Sequence, residues 1–257
     1  MTEQNCTSVA TGDWDDGSTW STGSPPQAAE HVIIADTHDV TIDTSSSVKS
    51  LTVNNGGKLI GNSSYTITIT AEGTASYGTN GYAIRMHSGS ELGTNVNLIC
   101  NTNDSTLLFL NPSTGMLHNF EVAHPNTIAY LQGNCNLAGN LTVTSGRFDT
   151  DTANYALTVT GDISNSGTLQ GNASAISSRK LTSTGTLNGG NFTVTGAGLG
   201  NTTRTIDLGG TVTGNVDITL TGAGNNRHED LQASGNIRNL TINNAAAVIH
   251  TGRNTSI

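Results

Sequence analysis

The chain has 257 residues and a net charge of −9, and charged side chains make up only 11% of it. Its ten scattered Lys and Arg residues argue against a nucleic-acid partner, which would need clustered cations, and no run of about 18 apolar residues is present to span a membrane. Abundant Val, Ile and Thr with sparse charge favour ordered β structure over disorder, and no window of about 11 residues carries the period of an amphipathic helix.

Residues 1–30 read as an N-terminal arm or cap, and residues 31–257 as one repeat domain, with no Pro-rich or charge-rich linker between repeats. The opening Met1-Thr2-Glu3-Gln4-Asn5 lacks the basic and apolar segments of a secretory signal. Repetitive Thr/Gly/Asn-rich β proteins usually sit outside cells, so the mismatch points to a virion protein released by lysis. Cys6, Cys100 and Cys135 are an odd number at unrelated spacings, neither a disulfide framework nor a zinc pattern. They read as free, buried thiols. Both tryptophans, Trp14 and Trp20, fall in the arm. They are expected to cover the open end of the first coil, where a bare edge invites aggregation, with sugar stacking on an indole as the alternative. Asp13, Asp15 and Asp16 stand beside Gly17 and offer hard oxygen ligands for Ca²⁺. The rest of an EF-hand loop is missing, so a solvated turn is the preferred reading and calcium stays open.

From Leu51 onward a short alternating run returns: Leu51-Thr52-Val53-Asn54, Leu141-Thr142-Val143-Thr144, Leu157-Thr158-Val159-Thr160, Leu181-Thr182-Ser183-Thr184, Phe192-Thr193-Val194-Thr195 and Leu240-Thr241-Ile242-Asn243. Alternation bounded by Gly, Asn or Ser marks half-buried strands, and their recurrence marks a stacked array. Leu141/Val143, Leu157/Val159 and Phe192/Val194 should point inward and the threonines outward. The unequal spacing excludes a strict short-repeat solenoid and suits a β-helix whose turns vary in length. Asn54-Asn55-Gly56-Gly57, Asn188-Gly189-Gly190-Asn191, Leu208-Gly209-Gly210 and Gly222-Ala223-Gly224-Asn225-Asn226 supply residues that tolerate tight corners. None opens a phosphate-cradling motif.

Candidate chemistry is sparse. Asp149 and Asp151 lie two apart, the spacing of paired carboxylates on one strand face, but the supporting residues of a pectin hydrolase are missing and the stretch reads as a polar turn. His228-Glu229-Asp230 is the densest titratable cluster and is placed in a loop, while His87, His118 and His124 are isolated and structural. Arg179-Lys180 reads as a solvated turn. No Ser/His/Asp set can be assembled, so no catalytic, cofactor-binding or metal site is assigned and the chain is read as non-enzymatic. Thr-x-Thr pairs such as Thr66/Thr68, Thr142/Thr144, Thr158/Thr160, Thr193/Thr195 and Thr219/Thr221 resemble those of ice-binding solenoids. The uneven spacing is expected to throw these pairs out of register, and solvent-facing Thr is the default on strands.

The order of Gly12, Trp14 and Trp20, Gly23-Ser24-Pro25-Pro26, Val32-Ile33-Ile34, Val40-Thr41-Ile42-Asp43 and Leu51 through Leu59 resembles the opening of right-handed parallel β-helix proteins of phage virions and bacterial surfaces. It is also similar to the eight-glycine extracellular domain of some cell-surface proteins. The resemblance covers roughly residues 10–60 and carries over no catalytic residue. It implies an all-β, single-stranded right-handed parallel β-helix with an aromatic-rich entry segment. The functional expectation is a structural phage protein (tail fibre, tail spike or head-decorating component) with a share in host attachment. Its partners would be other virion proteins, a host surface glycan and itself, as a trimer by resemblance. The alternative is a bacterial cell-surface adhesin, and behind it a polysaccharide-degrading enzyme or an ice-binding protein. A solenoid needs its last coil covered, and Ile249 to Ile257 offers no cap, so another subunit or a longer natural chain is expected there.

Overall fold

The computed structural model describes residues 4–70, 83–87, 89–93, 95–103, 105–109, 117–197, 199, 203–221, 227–243, 247–251, 255 and 256. Within them the chain is all-β, with one short 3-10 turn at Gly17–Thr19 and no α-helix. Successive strands are separated by corners and pair with the strands one coil before and one coil after, so the chain winds into a β-solenoid with three faces. Every strand-to-strand ladder among the described residues is parallel.

Face one starts with Gln4–Thr7, Glu30–Ile34 and Ser50–Val53 and continues through Ile128–Leu131 and Arg147–Asp149. Face three starts with Ser46–Val48 and Thr66–Ile69 and runs through Asn97–Cys100, Asn119–Val122, Leu141–Val143, Asp162–Asn165, Lys180–Ser183 and Ile206–Leu208. Face two begins as a separate sheet of four short strands, Gly12–Asp13, Asp39–Thr41, Lys58–Ile60 and Glu91–Leu92. Later it is built from Cys135–Leu137, Leu157–Val159, Asn239–Ile242 and the second halves of three long strands, Thr168–Ser178, Thr186–Val194 and Thr211–Leu220. These long strands turn from face one to face two without leaving the ladder. The pairing shifts register at Gln170–Asn172, Asn172–Ala175 and Asn188–Gly190, where Asn172, Gly189 and Gly190 have positive φ. A bulge bends a strand and adds local twist, which is how one strand serves two faces.

Alternation explains the core. Leu141, Val143, Leu157, Val159, Phe192 and Val194 are all buried, with the threonines between them half-exposed or exposed. On face three, Ile67, Leu98, Phe120, Leu141, Ile163, Leu181 and Ile206 form one in-register inward row. Burying each such side chain stabilises by roughly 1.5–3 kcal/mol. Phe120 meets Phe148 from face one edge-on, with ring centroids 6.0 Å apart. The neighbouring row, Val48, Ile69, Cys100, Val122 and Val143, turns polar at Asn165 and Ser183. Both are buried, and Asn165 Nδ2 donates to Ser183 Oγ (2.9 Å) and to the Thr186 carbonyl (2.9 Å). The stack thus satisfies the amide nitrogen, while Asn165 Oδ1 has no hydrogen-bond partner among the described residues.

The recurring Leu-Thr-Val-Thr run marks strands rather than coils. Leu51–Val53 lies on face one, Leu157–Val159 and Phe192–Val194 on face two, and Leu141–Val143 and Leu181–Ser183 on face three. One strand recipe serves all three faces, which accounts for the unequal spacing between copies. At the N-terminal end, a return segment meets the chain from Thr7 to Val9, at the end of the strand Gln4–Thr7. Ser8 bridges Trp20 in antiparallel sense, Val9 N donates to the Thr19 carbonyl and Ser21 N to the Thr7 carbonyl. Trp14 and Trp20 are buried in the core beneath it, ring centroids 5.2 Å apart in an edge-on pair, and Trp20 Nε1 donates to the Trp14 carbonyl. Buried indoles leave no face for a sugar, so stacking of a glycan on Trp14 or Trp20 is excluded.

Candidate functional site

A surface groove of about 540 Å³ lies at the corner between face three and face one. Its floor is a stack of glycines. A Cβ on Gly167 would sit 2.6 Å from the Gly146 carbonyl oxygen, and on Gly185 and Gly210 it would approach the carbonyl one coil back more closely still. Only glycine lets the coils close on each other here, and the corner is therefore a furrow rather than a ridge. One wall is the in-register row Ile128, Arg147, Thr168 and Thr186. The other carries Thr144, Ser145 and Ser166.

At one point the wall is stiffened. The Arg147 guanidinium lies 5.5 Å from the Tyr130 ring centroid and its Nη2 donates to Tyr130 Oη (2.7 Å). Arg147 Nε lies 3.4 Å from Asp149 Oδ2, which balances the charge. Asp149 is in turn held by the Asp151 N–H (2.9 Å) and by Asn172 Nδ2 (2.9 Å). Arg147–Asp149, expected to be part of a polar turn, is a strand with Phe148 buried; the turn follows it, and Asp149 at the strand end and Asp151 with positive φ serve that corner. The residues lining the groove include no carboxylate and no imidazole.

The other sequence candidates are dispersed. Asp13, Asp15 and Asp16 are exposed, and among the described residues no group of three or more metal-ligating side chains is close enough to hold an ion. Asp16 Oδ1 accepts the Ser18 N–H (2.8 Å) at the 3-10 turn, which holds its carboxyl below the usual range. Asp15 faces Asp43 across the coils, and that contact, with the nearby Asp13 and Asp16 charges, raises its pKa. His228-Glu229-Asp230, placed in a loop from sequence, lies in the strand Arg227–Leu231; its side chains fall outside the described residues. Gly222 to Asn226 also lies outside them. Arg179, read as part of a solvated turn, forms a two-point pair with Asp162 one coil back, Nε to Oδ1 at 2.7 Å and Nη2 to Oδ2 at 2.9 Å. His118 joins a corner ladder in which Asn97 accepts from His118 and Asn119, and Asn119 from the Asn140 N–H. His87 is partly buried, which lowers its pKa. Cys6, Cys100 and Cys135 are free and buried; burial pushes the Cys6 thiol to about 11 and Cys135 to about 12.

The structure adds two serine–imidazole pairs that the sequence did not suggest, Ser8 Oγ with His38 Nδ1 (2.9 Å) and Ser50 Oγ with His31 Nδ1 (2.7 Å). The parallel register sets His31 beside Ser50; neither pair has a local sequence signal. Ser50 and His31 are buried beside each other, away from any substrate, and Ser8 Oγ already accepts the Ala35 N–H. The threonine pairs behave differently from expectation. Thr158, Ser177, Thr193, Thr219 and Thr241 fall in one register on face two, so uneven coil length does not scatter them; the extra residues leave at corners. The second row is broken at Arg179, which leaves Thr193/Thr195 and Thr219/Thr221 as the adjacent complete pairs on that face.

No curated protein and no solved structure matches the chain. Residues 19–92 match the model of the G8 domain family, a stretch that runs from the return segment at Trp20 to the last strand of the separate four-stranded sheet. That segment is thus similar to a G8 domain, built as the first coils of a parallel β-solenoid.

Proposed function

We propose that the chain is a non-enzymatic structural protein of a virus particle, a tail-fibre, tail-spike or head-decorating rod that takes part in host attachment. The observation that carries this reading is the continuous parallel stack, with a buried aliphatic row inside and hydroxyl-rich rows outside. Such a rod resists bending because each coil is hydrogen-bonded to the next, and it presents the same chemistry at regular intervals. Among the described residues, Asp149, Asp162 and the His31–Ser50 pair are engaged in corner and coil-to-coil contacts. Self-association into a closed symmetric oligomer, with a trimer first, belongs to the same proposal.

A second setting, a bacterial cell surface, rests on the resemblance of residues 10–60 to the opening of bacterial surface β-helix proteins. The two are separated by purifying particles from a lysate of the source culture and, in parallel, labelling intact cells with an antibody to this chain. Co-purification with particles is the expected result. Surface labelling without particles would replace the virion setting by the adhesin.

A further inference from the structure

We infer that the groove between face three and face one binds a linear, neutral polysaccharide laid along the solenoid axis. The inference rests on the attachment role proposed above and holds in either setting. Parallel strands repeat about every 4.8 Å, so the groove carries Thr168 and Thr186 on successive coils of one wall, a glycine floor, and Thr144, Ser145 and Ser166 on the other wall. That interval is close to the rise of one hexose in an extended chain, and a ligand with the same period can meet successive coils with successive sugars. The glycine floor adds no side chain to the furrow, and a Cβ at Gly167 or Gly185 would collide with the backbone one coil back.

The hydroxyls of Ser145, Thr168 and Thr186 are half-buried on the walls and make no side-chain hydrogen bond with the described residues. Each is both donor and acceptor, which is what sugar hydroxyls require. Ile128 and Pro125 add apolar surface for the C–H face of a pyranose. The one cation in the lining, Arg147, is matched by Asp149 and tied to Tyr130. Charge balance of this kind selects a neutral sugar over a uronate or a phosphate.

The test is titration calorimetry of the full chain with cellohexaose, maltohexaose and mannohexaose, the matching trisaccharides, and hexagalacturonate. At least one neutral hexasaccharide should bind, more tightly than its trisaccharide. Thr168→Val with Thr186→Val should weaken it by roughly two- to tenfold per hydroxyl removed. Thr158→Val with Thr193→Val on face two should leave the affinity unchanged, and an unaltered melting temperature shows that each variant folds. Failure of every neutral hexasaccharide, equal binding by the groove variant, or preference for hexagalacturonate would each overturn the inference. Binding by a chain found in neither particles nor cell envelopes would instead overturn the setting and leave the site standing.

Discussion

The coils matched by the G8 model and the coils after residue 117 solve the same problem by different means. In the first group, face two is a separate sheet of strands two or three residues long. Its corners leave the ladder, as at Gly56, where φ is positive. Strand pairing on that face is short, and Trp14 and Trp20 are buried among the same coils as an edge-on pair. In the second group, strands of up to 11 residues carry the ladder around the corner through bulges. There the corners are held by backbone pairing, by the glycine stack and by Asn and Asp side chains. The first coils are held by shape, the later ones by register.

Substitutions can break this contrast, and the largest effect should come from a charge placed inside the register-held stack. Val143→Asp puts a carboxylate in the buried inward row between Val122 and Asn165. It should cost more than about 4 kcal/mol in urea unfolding and loosen the coils on either side. Trp14→Ala tests the shape-held end. It should cost about 3–4 kcal/mol, with the loss of hydrogen-exchange protection confined to the first coils. Gly185→Ala attacks the corner stack, where the new Cβ meets the Gly167 carbonyl; about 1–3 kcal/mol is expected from overpacking, read as a fall in melting temperature.

A smaller, pH-dependent effect belongs to Asp15. Its pKa is raised by Asp43 and the neighbouring carboxylates, so its protonated form suits the fold better than its ionised form. The stabilising share is complete below the ordinary aspartate range and disappears as pH rises through the raised value. Asp15→Asn should therefore raise the melting temperature at neutral pH and give no gain in acid, with a pH series of thermal melts as the check. Thr142→Ser, on an outward position of face three, should change stability by less than about 0.5 kcal/mol.

The strands and the inward rows were legible because alternation is a local property: Leu141, Val143 and Phe192 declare their side of the sheet within four residues. The assignment of copies to faces was not. Leu141 and Leu157 read alike, yet one lies on face three and the other on face two, and nothing local distinguishes them. The candidate groove was hidden for the same reason. Gly146, Gly167, Gly185 and Gly210 recur at unequal intervals and become a floor only once the coils are superposed. Residues inserted at corners also concealed the threonine register, since they change spacing along the chain without changing the stack.

The account stands on that superposition, and a spin-label distance tests it most directly. Asn136 and Thr241 end one outward row of face two, joined through Thr158, Ser177, Thr193 and Thr219. The native cysteines are buried, so labels will go to Asn136→Cys and Thr241→Cys. Five strand spacings place the two backbones roughly 24 Å apart, and a single narrow distance near that value is the predicted result. A broad distribution, or a distance that two antiparallel layers packed face to face would give, would contradict the in-register parallel stack and the groove built upon it.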